Sequence, residues 1–168
     1  MAASAPLTRR ALLFGHSPAE AVVLRPPWAV DDDLFASRCT RCDDCVRACP
    51  EQVLLRDSDG LPRFDPARGE CTFCGDCASA CASGALLASV SPPWGLRAQV
   101  GGDCLPGHGV VCASCREICP ASAIHVPPGG HGAAVVAAER CTGCGACVGI
   151  CPVGAIALKG RVPLEAVA

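Results

Sequence analysis

Apolar residues in this chain are gathered into short runs. "QVLLR" (52–56), "ALLASV" (85–90), "AIHV" (123–126) and "AIAL" (155–158) each follow a group of cysteines. Runs of four to six residues rich in Val, Ile and Leu suit strands and are too short for helices. Two of them lead through turn residues into a second stretch: "DSDG" before "LPRF" (61–64), and "PPGGHG" before "AAVVAA" (133–138). These read as hairpins. Helical character is confined to a turn or two beginning near the third cysteine of each group, through "VRAC", "ASAC", "REIC" and "VGIC". With 18 Gly and 15 Pro punctuating 168 residues, long elements are excluded. The pattern predicts an α+β chain of short helices and hairpins.

The cysteine groups repeat. "CTRCDDCVRACP" (39–50), "CTFCGDCASAC" (71–81) and "CTGCGACVGICP" (141–152) share the spacing C-x2-C-x2-C-x3-C. Cys39, Cys42, Cys45 and Cys49 recur 32 positions later as Cys71, Cys74, Cys77 and Cys81, and Cys112, Cys115 and Cys119 recur at the same offset as Cys144, Cys147 and Cys151. A longer offset of 70 carries Cys42 to Cys81 onto Cys112 to Cys151. The chain is a doubled pair. Only the third group is irregular, because Gly109 stands where its first cysteine belongs. The "PPW" landmark at Pro26 to Trp28 and again at Pro92 to Trp94 resolves this. Trp28 lies 11 residues before Cys39, and Trp94 lies 10 before Cys104. Cys104 is therefore the counterpart of Cys39, displaced by an insertion within "LPGHGVV". The expected organisation is a partly ordered leader (1–33), a first module (34–90), a linker (91–103) and a second module (104–162).

Sixteen cysteines, nearly a tenth of the chain, mean either a disulfide scaffold or metal clusters. Disulfides require export. "PLTRRALLFGHSPAEAVVLRPPW" opens like a twin-arginine signal, with Arg9 and Arg10 before Leu12, Leu13 and Phe14. Gly15, His16, Ser17, Pro18 and Glu20 then interrupt the apolar stretch such a signal needs. No segment approaches the roughly 20 apolar residues of a membrane span. The expected setting is the reducing cytosol, where thiols stay free. Four Phe, two Trp and no Tyr leave little for an aromatic core, and a formal charge of −2 advertises no nucleic-acid surface.

Structural zinc takes paired C-x2-C motifs separated by a longer loop, so a third cysteine two residues on is surplus to a tetrahedron. In the C-x2-C-x2-C-x3-C pattern, three thiolates wrap one face of an iron–sulfur cubane, and the fourth, usually followed by Pro, reaches the neighbouring cluster. Pro50, Pro120 and Pro152 follow the rule; Ala82 departs from it. Crossed ligation predicts four [4Fe–4S] sites. Cys39, Cys42 and Cys45 pair with Cys81, and Cys71, Cys74 and Cys77 with Cys49. Cys104, Cys112 and Cys115 pair with Cys151, and Cys141, Cys144 and Cys147 with Cys119. The count falls to three if the Cys104 site is empty. Four such sites would carry the formal charge to about −10, with −2 from each. His16, His108, His125 and His131 share no spacing, although His108 lies in the insertion. Asp31-Asp32-Asp33 reads as a solvated run. No nucleophile–base pair or phosphate loop appears, so catalysis by this chain is not expected.

The leader with Arg9-Arg10, "RPPW" at Arg25 to Trp28, "CTRCDDC" and the irregular third group before "CTGCGAC" together resemble the NapF family. These are ferredoxin-type accessory proteins of the bacterial periplasmic nitrate reductase system. The resemblance covers essentially the whole chain and implies two tandem bacterial-ferredoxin-like modules. It also implies a cytoplasmic protein that engages the precursor of the catalytic molybdenum subunit and assists its maturation before export. In that family the third group is often left out of the cluster count. A plain electron carrier between redox partners is the alternative. The non-repeated leader favours docking, with Arg9, Arg10, Leu12, Leu13, Phe14 and Trp28 as the expected partner-binding residues.

Overall fold

A computed structural model describes residues 23–160. Helix α1 (Asp32–Arg38) precedes the first cysteine group. Asp31 stands at its N-cap and Asp32 and Asp33 fill its first turn, where carboxylates meet the positive end of the helix. The acidic run is exposed, as the sequence suggests, but it also opens a helix. Helix α2 (Asp44–Ala48), strands β1 (Leu54–Arg56) and β2 (Pro62–Phe64), and helix α3 (Asp76–Ser79) complete the first half. The second half runs β3 (Leu96–Val100), a 3-10 turn at Leu105–His108, α4 (Ser114–Ile118), β4 (Ile124–His125), β5 (Val135–Val136), α5 (Ala146–Gly149) and β6 (Ile156–Gly160).

The sheets are three antiparallel pairs. β1 and β2 form the expected first hairpin (Leu54↔Phe64 to Arg56↔Pro62), and β4 and β5 form the second (Ile124↔Val136, His125↔Val135). β3 pairs with β6 from Leu96↔Gly160 to Val100↔Ile156. The first half repeats that closure in reduced form, as a single bridge between Ala29 and Leu86. In both halves, a segment before the first cysteine pairs with the segment after the last. "ALLASV" thus supplies a bridge rather than the strand expected of it.

This closure reaches across both boundaries read from the sequence. The segment 91–103, expected as a linker, contains β3 and belongs to the second module. "LRAQV" alternates apolar and polar residues, and Ala98 is buried while its neighbours are half-exposed. The end of the leader likewise belongs to the first module. Phe64 N–H donates to the Leu24 carbonyl at 2.7 Å, Val30 N–H to Ala85 at 3.1 Å, and Leu87 N–H to Trp28 at 2.9 Å. Pro26 and Pro27 are among the most deeply buried side chains.

The core is thin in aromatics and is completed by sulfur. Phe35, Phe64, Leu86 and Val53 are buried together with Cys45, Cys77, Cys104, Cys115 and Cys147. One aromatic row joins the two halves. Trp94 packs on Phe64 at 5.0 Å and edge-on to Phe73 at 5.5 Å, and Phe73 meets Trp28 at 6.5 Å. Arg25 pins the first hairpin to the preceding chain. Its guanidinium stacks over Phe35 and donates to Asp57 at 2.6 Å, while Asp57 also accepts the N–H groups of Asp59 and Leu61, both at 2.9 Å. Burial works against ionisation of Asp57, but the Arg25 bond and the two N–H donors outweigh it and hold the carboxyl below its usual range. A depressed carboxylate stabilises the fold above the ordinary carboxylate range, and that contribution fades as pH falls through the depressed value. Asp57→Asn at pH 7 is expected to cost about 2 kcal/mol of local stability. Hydrogen exchange at Asp59 and Leu61 should then quicken by roughly 30-fold, read by mass spectrometry; unchanged exchange would show that the pair contributes nothing.

Candidate iron–sulfur sites

Each cysteine group is a tight loop leading into a one-turn helix. α2, α3, α4 and α5 all begin at the residue before the third cysteine and end before the fourth. In the three regular groups, the residues flanking the second cysteine adopt left-handed backbone: Arg41 and Asp43, Phe73 and Gly75, Gly143 and Gly145. Alternating handedness turns successive N–H groups inward as an anion-binding concavity. Glycine accepts that conformation freely, whereas Arg41 and Asp43 are held in it. Arg41 Nε donates to the Asp59 carbonyl at 3.0 Å, and Asp43 forms an ion pair with Arg56. In the irregular group Ala113 has φ −136° and the device is missing.

Pairing of α2 with α3 and of α4 with α5 brings the fourth cysteine of one group to the other. Cys49 lines one cavity with Cys71, Cys74 and Cys77. Cys119 lines another with Cys141, Cys144 and Cys147. Cys151 lines a third with Cys104, Cys112 and Cys115. Cys45 has Cys39, Cys81 and Cys42 as the neighbouring sulfurs that raise it. In order of their leading cysteine, these are the first (Cys39), second (Cys71), third (Cys104) and fourth (Cys141) sets.

The irregular group is built to the same scale as the others. The second, third and fourth sets enclose about 330, 350 and 320 Å³ of atom-free space, openings to solvent included, so the insertion has not deformed its cavity. Cys104 is buried, and its sulfur accepts the Ala134 N–H at 3.4 Å. The inserted residues leave through the 3-10 turn and are tied to the second hairpin by Gly132 N–H donating to Pro106 at 3.1 Å. Their tip, Val110 and Val111, is exposed. His108 is turned to the Gly102 carbonyl at 2.8 Å and is not among the cavity residues.

Buried, crowded thiols are hard to ionise without positive charge among them. Among the described residues, no group of three or more His, Cys, Asp or Glu side chains is gathered tightly enough to hold one ion. Tetrahedral zinc needs its thiolates about 2.3 Å from one centre. Burial, and then neighbouring sulfurs, push Cys45 up to about 11 and Cys147 up to about 12. Cys77 rises to about 12 and Cys71 to about 11, again chiefly through burial. Thiols raised in this way ionise beside one another only with positive charge close at hand. Backbone N–H groups already point at the sulfurs: Leu86 to Cys81 at 3.4 Å, Ala123 to Cys119 at 3.3 Å, Ala155 to Cys151 at 3.2 Å and Ala98 to Cys141 at 3.4 Å. At Cys81, burial is outweighed by the Ser83 hydroxyl and nearby N–H groups, so its thiol is lowered.

The expected partner-binding residues divide. Arg9, Arg10, Leu12, Leu13 and Phe14 lie outside the described residues. Trp28 is 9% exposed, packs on Phe73 and lines the second cavity beside Pro27. The Pro-Pro-Trp motif turns inward because the bridge at Ala29 draws it against the module. Gly143 is a functional position that spacing alone did not single out. A Cβ there would run into the Leu96 carbonyl and come within 3.1 Å of the Trp94 indole nitrogen, whereas at Gly75 it would meet nothing within 4 Å. Both residues are left-handed, so Gly143→Ala and Gly75→Ala carry a similar backbone penalty and differ in the clash. Gly143→Ala is expected to lower the melting temperature of the iron-loaded protein by at least ~5 °C more than Gly75→Ala. Equal losses would mean that the approach to β3 is unimportant.

Among the described residues, no helix is long and apolar enough to cross a membrane. Residues 38–86 match the model of a 4Fe-4S dicluster domain, and residues 111–162 match that of the LdpA Fe-S cluster-binding domain. The two matches fall on the two halves seen in the fold and identify both as iron–sulfur modules. A ferredoxin-type protein NapF of Haemophilus influenzae is 43% identical over 142 residues, spanning 82% of this chain and 80% of that protein. The NapF of Escherichia coli K12 is 36% identical over 151 residues, spanning 89% and 92%. A methylamine utilization ferredoxin-type protein MauM of Methylorubrum extorquens is 35% identical over 175 residues, spanning 92% and 80%. At this identity and coverage, the chain belongs to the NapF family of ferredoxin-type iron–sulfur proteins.

Proposed function

We propose that the chain holds four [4Fe–4S] clusters in crossed ligation and serves in the cytoplasm as an accessory protein for the precursor of the periplasmic nitrate reductase catalytic subunit. The cluster count is carried by one observation: in the Cys104 set, Cys104 and Cys115 are buried, Cys104 accepts an N–H bond, and the cavity is close in size to those of the second and fourth sets. When bound, such a core exchanges one electron at a time, at a potential tuned by N–H···S bonds and solvent exposure. The protein supplies both controls. Cys42 and Cys74 are exposed, giving a partner access to the first and second sets, while Cys45 and Cys77 sit inside. Two iron–sulfur modules and kinship with NapF support the delivery of electrons or a cluster to a client. Anaerobic reconstitution should yield about 16 iron per chain, and Cys104→Ala should lose about four. Saturation of the native chain near 12 iron, unchanged in Cys104→Ala, would remove the third site from the proposal.

The client assignment rests on family membership together with the non-repeated leader. A carrier that only shuttles electrons has little use for Arg9-Arg10 before Leu12, Leu13 and Phe14. That sequence sets apolar side chains beside two cations, a composition common in docking segments. Arg9→Ala with Arg10→Ala should weaken pull-down of the precursor severalfold while leaving iron content unchanged. Recovery of the native protein from the periplasm with its first residues cleaved would instead assign an electron-transfer role at the exported enzyme.

A further inference from the structure

The two modules meet at their cysteine loops. Cys71 N–H, in the second set, donates to the carbonyl oxygen of Cys144, in the fourth set, at 2.8 Å. Glycine makes this approach possible. A Cβ on Gly145 would come within 2.9 Å of Phe64 and Pro66, and one on Gly149 within 3.2 Å of the Ala67 carbonyl. Trp94 seals the junction, held between Phe64 and Phe73 and donating from Nε1 to the Thr142 carbonyl at 3.1 Å.

We propose that the Cys71–Cys144 peptide hydrogen bond is the electronic contact between the modules, so that the four cysteine sets form one path in the order first, second, fourth, third. This rests on the reading of the sets as [4Fe–4S] sites. Within each module, the helix pair α2–α3 or α4–α5 carries the third cysteines of two sets side by side. Across the junction, the connection runs from the Cys71 sulfur through its Cβ, Cα and N, over one hydrogen bond, and on through the carbonyl carbon, Cα and Cβ of Cys144. Electron tunnelling falls steeply with distance and favours bonded routes over gaps. A junction made of two ligand peptides is therefore a bonded route interrupted by a single hydrogen bond. The step moves one electron and breaks no bond. With clusters held by these two sets, a low-potential one-electron donor such as a reduced flavin would supply one electron, which the second set would lose and the fourth would gain, with no proton crossing. The path ends at the first set, with exposed Cys42, and at the third, beneath the exposed tip Val110–Val111.

The test is electron paramagnetic resonance of the full chain, reconstituted anaerobically and fully reduced. Replacing Cys39, Cys42, Cys112 and Cys115 by Ala empties the outer sets and should leave about eight iron in the inner pair. Its spectrum is expected to be split and broadened by magnetic interaction. A chain keeping only the outer pair, with Cys71, Cys74, Cys141 and Cys144 replaced by Ala, should show two unsplit signals. A simple sum of independent signals from the inner pair would overturn the proposal. Should the quadruple variants fail to fold, Gly149→Leu with every ligand intact reads the same junction. Its iron content should match the native chain while part of the splitting is lost, and a spectrum identical to the native one would overturn the proposal. A native chain that takes up no iron–sulfur chromophore would fail the cluster reading itself, a result distinct from loaded but uncoupled sites.

Discussion

The rest of the structure depends on keeping buried sulfur ionisable. A thiolate in an apolar interior is strongly disfavoured, and several together are worse, because each raises the others. The raised thiols of Cys45, Cys77 and Cys147 express that cost. The fold meets it locally with short helices, left-handed turns and strand ends that direct N–H groups at sulfur, and globally by leaving room for positive charge among four thiols. This explains the scarcity of conventional core. Where another domain of this length would place a cluster of aromatic and branched side chains, this one places Cys77, Cys104 and Cys147 against a thin shell of Ala, Val and Leu.

Much of this was legible in the sequence because cysteine spacing and turn chemistry are local signals. The hairpins announced by "DSDG" and "PPGGHG" and the one-turn helices at the third cysteines come from patterns a few residues long. What the sequence concealed depends on distant partners. β3 has a period-two pattern, but it sits between Pro92-Pro93 and Gly101-Gly102, and only pairing with β6 makes it a strand. Trp28 looks available on the page and is buried in space, because the Ala29–Leu86 bridge turns it inward. Left-handed backbone at Gly75, Gly143 and Gly145 is advertised by residue type; at Arg41, Asp43 and Phe73 it is imposed by the loop and invisible beforehand.

The doubled pair is not a simple duplication of energetics. The second module closes with a five-residue ladder, whereas the first closes with a single bridge reinforced by Arg25, Asp57 and the aromatic row. Both groups on the side with the lighter closure are regular, and the module with the longer closure holds one regular and one irregular group. Fewer backbone bonds at one end are offset there by ion pairing and ring packing. Stability within the chain is therefore held by different forces in its two halves, which makes the first module the more sensitive to loss of charge.

That lighter closure has a mechanical side. The chain from Leu24 to Trp28 is one continuous span, anchored at Leu24 to Phe64, at Arg25 to Asp57 and at Trp28 to Pro93. Its far end is a wall of the second cysteine cavity, and its near end is where the non-repeated segment begins. A pull applied upstream of Val23 is thus delivered, over a few residues with no intervening slack, to the side of a redox site. The stem of the leader doubles as masonry for the sulfur chamber, and whatever grips one bears on the other.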